Sequence, residues 1–195
     1  MKTDFQASLP GLEPAPLTDR LLLVLKPPPD VAERLFALGA ALRRAHGLTG
    51  TQIDPERLHF TLYWYGDYAG DPPPSVVAAA RAAAGLVSAT PFEMTVDRAM
   101  SFEAGPHKAP LVLFSDGEAT ALKAFRADIE RRMLGVNLRS RVGFSQPHIS
   151  LLRDVKRVPP QPFEPVTWTA GEFSLVRSLL GRSRYETIET WPLRG

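Results

Sequence analysis

Residues 56–67 read ERLHFTLYWYGD, a run of aromatic residues, leucine and threonine that favours a β-strand. Within the run, His59 stands two positions before Thr61. Side chains on a strand alternate between its two faces, so positions i and i+2 point the same way. The pattern therefore predicts that an imidazole and a hydroxyl share one face, while Phe60 and Leu62 anchor the other face in a core.

A second copy of this pattern lies about half a chain length further on. Residues 146–154 read QPHISLLRD, in which His148 stands two positions before Ser150. Ile149 and Leu151 take the places of the core-facing residues. One histidine tripeptide is easily accidental, but two copies with leucine next and an aspartate shortly after are not. The repeat predicts two similar lobes that bring both histidines to one pocket.

Such a pocket suits displacement at phosphorus. Imidazole titrates near neutral pH, so one ring can be neutral while the other is protonated. The neutral ring takes a proton from water, and the protonated ring gives one to the leaving oxygen. The two hydroxyls hold the phosphoryl oxygens where charge develops. We therefore predict general acid–base catalysis on a phosphoester, with no metal and no cofactor.

The rest of the chain predicts three helices and several further strands. We expect helices over residues 31–47, with Asp30 as N-cap and Gly47 as the stop, and over residues 75–87 and 118–134. The second and third helices are expected to cover opposite lobes. The expected strands, besides the two histidine strands at residues 56–66 and 147–153, run over residues 21–26, 91–102, 111–114, 166–177 and 183–191.

Adjacent strand pairs and loosely spaced helices favour an α+β fold with mostly antiparallel pairing. The sequence contains no Gly-rich phosphate loop, which argues against nucleotide-cofactor chemistry. It also contains no cysteine, which excludes disulfides, thiol nucleophiles and Cys-based zinc sites. No apolar run is long enough to cross a membrane, and the N-terminus lacks a signal-peptide pattern. We expect a cytoplasmic monomer without membrane association.

The histidine segments resemble those of the 2H phosphoesterase superfamily, and most closely its RNA 2′,3′-cyclic phosphodiesterases, also called 2′-5′ RNA ligases. The resemblance begins near Asp19 and also covers RSLLGRSRYETIETWPL at residues 177–193. It implies two pseudo-symmetric antiparallel lobes with helices on their outer faces and a central groove. Residues 1–18 would be a tail, and residues 19–195 a single bilobal domain.

The resemblance further implies hydrolysis of a 2′,3′-cyclic phosphate, on RNA or a small nucleotide, to a 2′-phosphomonoester. His59 would protonate the leaving 3′ oxygen and His148 would activate water. Thr61, Ser150 and Arg153 would hold the phosphate, although Ser150 stands where threonine is commoner. Two alternatives stay open, namely 2′-5′ RNA end ligation and a non-catalytic module that binds RNA.

Several other residues are candidates for substrate contact. Phe102 could stack on a base, and Tyr185 and Arg182 lie in the closing segment. His107 lies in a loop beside a lysine, and His46 lies at a predicted helix end, where a structural role is the simpler interpretation. A basic group could guide a phosphate backbone, or could simply be a solvated helix end; it comprises Arg131, Arg132, Arg139 and Arg141.

Overall fold

The structure, a computed structural model, describes residues 15–103, 107–117, 119–140 and 146–194. Its strands are β1 (Asp19–Leu25), β2 (Phe60–Tyr68), β3 (Phe92–Ser101), β4 (Ala109–Phe114), β5 (Ile149–Asp154), β6 (Gln161–Ala170), β7 (Glu172–Leu179) and β8 (Arg184–Pro192). Its helices are α1 (Pro29–Ala45), α2 (Pro74–Gly85) and α3 (Thr120–Gly135), and a 3₁₀ turn covers Pro55–Arg57. The predicted α+β class is confirmed.

The eight strands form one antiparallel sheet in the order β6-β3-β4-β5-β2-β1-β7-β8. The sheet consists of two halves that share a strand–helix–strand unit next to the centre. In each half the two inner strands are joined by a helix, β1-α1-β2 in one half and β4-α3-β5 in the other. The halves meet where Phe60 of β2 pairs with Ile149 of β5. This symmetry places the two histidine segments side by side at the centre of the sheet.

The single strand expected over residues 166–177 is wrong, because the chain forms two strands there. β6 pairs with β3 at one edge of the sheet, whereas β7 pairs with β1 in the other half. Gly171 lies between them, so the chain crosses from one half to the other within a residue. β6 also begins earlier than expected, at Gln161, since prolines 162 and 165 are tolerated on an edge strand.

The helices pack differently from the expectation in two respects. α1 begins at Pro29 with Pro28 as its N-cap, so Asp30 lies in the first turn and is not the cap. Proline suits the first helical position, held by Pro29, because the N–H that it lacks would have no partner in the helix. α2 packs against α3 and β8, and α1 packs against β5 and β6. α3 also packs against β2 and β3, one strand from each half of the sheet, so it does not cover a single lobe opposite α2 as expected. None of the helices in the described ranges is long and apolar enough to span a membrane.

The two faces of β1 pack into two different apolar clusters. Leu21, Leu23 and Leu25 are fully buried in the main core, which also contains the apolar sides of the helices. Leu22 and Val24 point the other way and form a small cluster with Val176. Partly buried aromatic rings pack against this second cluster, and a cleft opens on the same face.

Candidate active site

A cleft of about 430 Å³ opens where β2 and β5 meet, and both histidine segments contribute to its wall. The main predicted residues all line it: His59, Thr61, His148, Ser150 and Arg153. The core-facing residues of the same segments, Phe60, Leu62, Ile149 and Leu151, are buried as the alternation predicts. The fold thus brings together side chains that are far apart in the sequence.

Each histidine ring hydrogen-bonds the backbone carbonyl of the residue two positions before it. The Nδ1 atom of His59 lies 2.7 Å from the carbonyl oxygen of Arg57, and that of His148 lies 2.8 Å from the carbonyl oxygen of Gln146. A carbonyl oxygen can only accept, so Nδ1 carries the hydrogen in each ring. Each Nε2 is then the atom that can take or give a proton, and the two segments share one tautomer.

This contact depends on where the strands begin, which differs from the expected residues 56–66 and 147–153. β2 begins at Phe60 and β5 at Ile149, so each histidine lies directly before its strand. Pro55 opens a 3₁₀ turn ahead of β2, and Pro147 has no N–H to donate to a sheet. The chain therefore enters each strand at the histidine, whose ring turns back to the preceding carbonyl.

Burial lowers the pKa of both imidazoles. It brings the pKa of His59 to about 4, and the positive charges of Lys26 and Arg57, and of His148 when it is protonated, act in the same direction. Burial likewise lowers the pKa of His148, helped by the positive charges of Arg126 and Arg153. Both rings are therefore neutral near pH 7 when the cleft holds no anion. A bound phosphate would oppose the lowering, because it supplies the opposite charge.

Each imidazole also has an aromatic neighbour. The ring of Tyr185 lies 5.5 Å from that of His59, centroid to centroid, and the ring of Phe102 lies edge-on to His148 at 4.7 Å. Tyr185 lines the cleft. Phe102 contacts the imidazole ring itself, and its predicted stacking on a base stays a prediction. These contacts help to fix the planes of both imidazoles.

Three arginines in the cleft wall were missed by the sequence analysis, namely Arg20, Arg57 and Arg126. Arg20 donates to both carboxylate oxygens of Asp67, at 2.6 and 2.8 Å, and lies over the Trp64 ring at 4.5 Å. Arg57 has a signal in the sequence, because it stands two positions before His59. Arg20 and Arg126 come from β1 and α3, and no local pattern marks them.

The structure places the other candidates elsewhere. Arg182 is exposed in the turn between β7 and β8 and is not part of the cleft wall, and His107 is exposed. His46 contacts Gln161 at 2.7 Å. The basic group at the end of α3 is largely exposed, and its Arg131 and Arg132 both form ion pairs with Asp128. Arg141 lies outside the described residues. Across the described ranges, no three His, Cys, Asp or Glu side chains cluster as metal ligands would.

Solved structures share this fold. E. coli LigT in its apo form matches with a TM-score of 0.72 at 21% identity, over 92% of this chain and 100% of that one. E. coli LigT complexed with 3′-AMP gives 0.72 at 22% identity, over 91% and 99%. The protein TT0787 of Thermus thermophilus gives 0.70 at 24% identity, over 90% and 98%. No curated protein sequence matches significantly.

The sequence itself matches a family model. The model of the 2′-5′ RNA ligase superfamily covers residues 27–182. This span contains both histidine segments, their carbonyl partners and most of the cleft wall. The chain belongs to the 2′-5′ RNA ligase superfamily.

Proposed function

We propose that this protein hydrolyses a 2′,3′-cyclic phosphate, at the end of RNA or on a small nucleotide, to a 2′-phosphomonoester. One observation carries the proposal: two imidazoles line one cleft, each with Nδ1 committed to a carbonyl and Nε2 left for proton transfer. A hydroxyl from the same segment accompanies each ring. This set of groups meets the needs of acid–base catalysis without further residues.

In the proposed reaction, Nε2 of His148 takes a proton from water as the water oxygen attacks phosphorus. The bond between phosphorus and the 3′ oxygen breaks, and His59 gives its Nε2 proton to that oxygen. The phosphate stays on the 2′ oxygen as the monoester. The hydroxyls of Thr61 and Ser150 and the guanidinium of Arg153 hydrogen-bond the non-bridging oxygens, where the negative charge grows.

The pKa values of the histidines fit these roles once substrate is bound. The cyclic phosphate is an anion, and its charge lets one buried ring gain a proton that it lacks in the empty cleft. A ring that burial has made less basic gives its proton up readily. His59, whose pKa is about 4 in the empty cleft, can serve as the acid only because the bound phosphate raises that pKa, and once protonated it is a strong proton donor.

The comparisons support a nucleotide as the ligand. E. coli LigT, which shares the fold, has been solved in complexes with ATP, with 3′-AMP and with NADP⁺. The cleft offers this protein a matching combination of cationic and aromatic side chains, with Arg57, Arg153, Trp64 and Tyr185 in its wall.

The test is incubation with 2′,3′-cyclic AMP in excess chelator, followed by chromatographic separation of 2′-AMP from 3′-AMP. We expect turnover to persist and 2′-AMP to be the product. Loss of turnover that added metal restores would contradict the mechanism. A parallel joining assay on RNA ends tests ligation, and RNA binding without any turnover would favour the non-catalytic alternative.

A further inference from the structure

Arg57 holds a positive charge in the cleft that the protein itself compensates only weakly. Its side chain is 17% exposed, and its Nε is buried without a hydrogen-bond partner. Its ion-pair partner among the described residues is Asp54, at 4.0 Å, a carboxylate that is itself 57% exposed. A buried donor without a partner is costly. The position is therefore favourable for an anion that arrives with the substrate.

The neighbouring Arg20 shows the opposite arrangement. Its Nε and one Nη each donate to Asp67, so a fork-to-fork ion pair already satisfies its charge. Both arginines line the same cleft. Of these two described arginines, Arg57 is the one whose charge a ligand would compensate.

Tyr185 fixes where that charge lies. The Arg57 guanidinium lies over the Tyr185 ring at 5.1 Å, and the same ring lies 5.5 Å from His59. The Tyr185 ring thus contacts both the Arg57 guanidinium and the His59 imidazole. Arg153 comes from β5, in the other half of the sheet. Arg57 and Arg153 consequently bring their guanidinium groups to the cleft from different halves of the sheet.

We propose that Arg57, oriented by Tyr185, binds a second phosphate group of the substrate, the one on the 5′ oxygen of the terminal nucleotide. The inference rests on the proposed function. When the 2′ and 3′ oxygens are tied up in the cyclic phosphate, the 5′ oxygen is the ribose position that can carry another phosphate. The preferred substrate class is then a nucleotide with a 5′ phosphate, either a free 5′-monoester or the diester link of an RNA strand.

Three substrates separate these sources: adenosine 2′,3′-cyclic phosphate, the same compound with a 5′ phosphate, and the dinucleotide ApA with a 2′,3′-cyclic end. We expect wild-type kcat/KM to rise with either added phosphate. In Arg57→Gln the ratio of kcat/KM with and without the 5′ phosphate should fall by about tenfold or more, as expected for a lost charge-assisted hydrogen bond. A rise with the dinucleotide alone would assign the subsite to the diester link.

The ratio isolates the subsite, because any effect of Arg57 on the His59 pKa acts on every substrate alike. Arg98→Gln is the matched control. It removes the same charge from a β3 side chain that pairs with Asp116 outside the cleft, and its ratios should equal those of wild type. Arg57→Lys, which keeps the charge but not the planar fork, should fall between wild type and Arg57→Gln.

An unchanged ratio in a folded Arg57→Gln protein overturns the subsite, and so does an equal fall in Arg98→Gln. If wild type hydrolyses none of the three compounds, the proposed function fails and the subsite is decided by calorimetry. Adenosine 3′,5′-bisphosphate must then bind more tightly than 3′-AMP to wild type, and this preference must disappear in Arg57→Gln. Equal binding of the two compounds to wild type contradicts the subsite.

Discussion

At the scale of single residues, the site depends on two histidines that are held alike. Each ring donates its Nδ1 hydrogen to the carbonyl two residues before it, and each ring is made less basic by burial and nearby cations. The hydrogen bond sets the tautomer, and the burial sets the protonation state. Together they leave two Nε2 atoms whose proton content depends on whether an anion is present.

The lowered pKa values predict a pH profile. Catalysis needs one ring neutral and the other protonated, so kcat/KM is greatest midway between the two pKa values of the free protein. Both lie below the ordinary value of 6.5, and that of His59 is about 4. We expect a bell-shaped kcat/KM profile for 2′,3′-cyclic AMP with its maximum below pH 6.5. A maximum on the alkaline side of that value would contradict this description of the free site.

At the scale of elements, the segment after α1 is fastened to β5, the strand that carries Ser150 and Arg153. The backbone N–H groups of Thr49 and Gly50 donate to the carboxylate of Asp154, each at 2.6 Å. The N–H of Lys156 contributes most, and with these two groups it lowers the pKa of that buried carboxyl to about 2. The contact holds the end of β5 in place beside the cleft.

The close approach in this segment predicts a destabilising substitution. A Cβ on Gly50 would lie 2.2 Å from the backbone oxygen of Arg153, so a backbone must shift to accept it. We expect Gly50→Ala to lower the free energy of unfolding by about 1–3 kcal/mol, the usual cost of overpacking, measured by urea denaturation. Since Arg153 moves with its backbone, the KM for the cyclic nucleotide should rise as well.

The matched control for this substitution is Gly135→Ala. Gly135 is the last residue of α3, and a Cβ there would meet no atom within 4 Å. The free energy of unfolding of the Gly135→Ala protein should be unchanged or slightly raised, because alanine is a better helix former than glycine. Equal stability of both variants would mean that Gly50 is not tightly packed against β5.

At the scale of the whole molecule, the site exists because two halves of one sheet meet at β2 and β5. Much of this could be predicted from the sequence. The alternation around His59 and His148 predicts which neighbours are buried, and Phe60, Leu62, Ile149 and Leu151 confirm it. The repeat itself predicts that the two segments converge, because a symmetric pair of halves places equivalent strands beside each other.

What could not be predicted depends on contacts between distant segments. The break at Gly171 has no turn dipeptide, since it is set by which strands β6 and β7 find as partners. The contact of Arg57 with Tyr185 joins the entrance of β2 to β8, and no local periodicity reports it. β2 and β5 begin at Phe60 and Ile149 because of the prolines at positions 55 and 147. Hydrophobic periodicity does not detect this local effect of proline.

The proposed mechanism requires each half of the sheet to supply one reacting histidine to a single site. It is tested most directly by single-turnover hydrolysis of 2′,3′-cyclic AMP in chelator by wild type, His59→Ala, His148→Ala and the double variant. The matched control is His107→Ala, which removes an exposed imidazole outside the cleft wall and should leave the rate unchanged.

We expect each single substitution in the cleft to slow hydrolysis by about 10²–10⁴-fold, the usual contribution of a general acid or base. The double variant should be little slower than either single one, because groups that act as a unit are not additive. A folded His148→Ala or His59→Ala protein that hydrolyses the cyclic nucleotide at the wild-type rate would contradict the two-histidine mechanism.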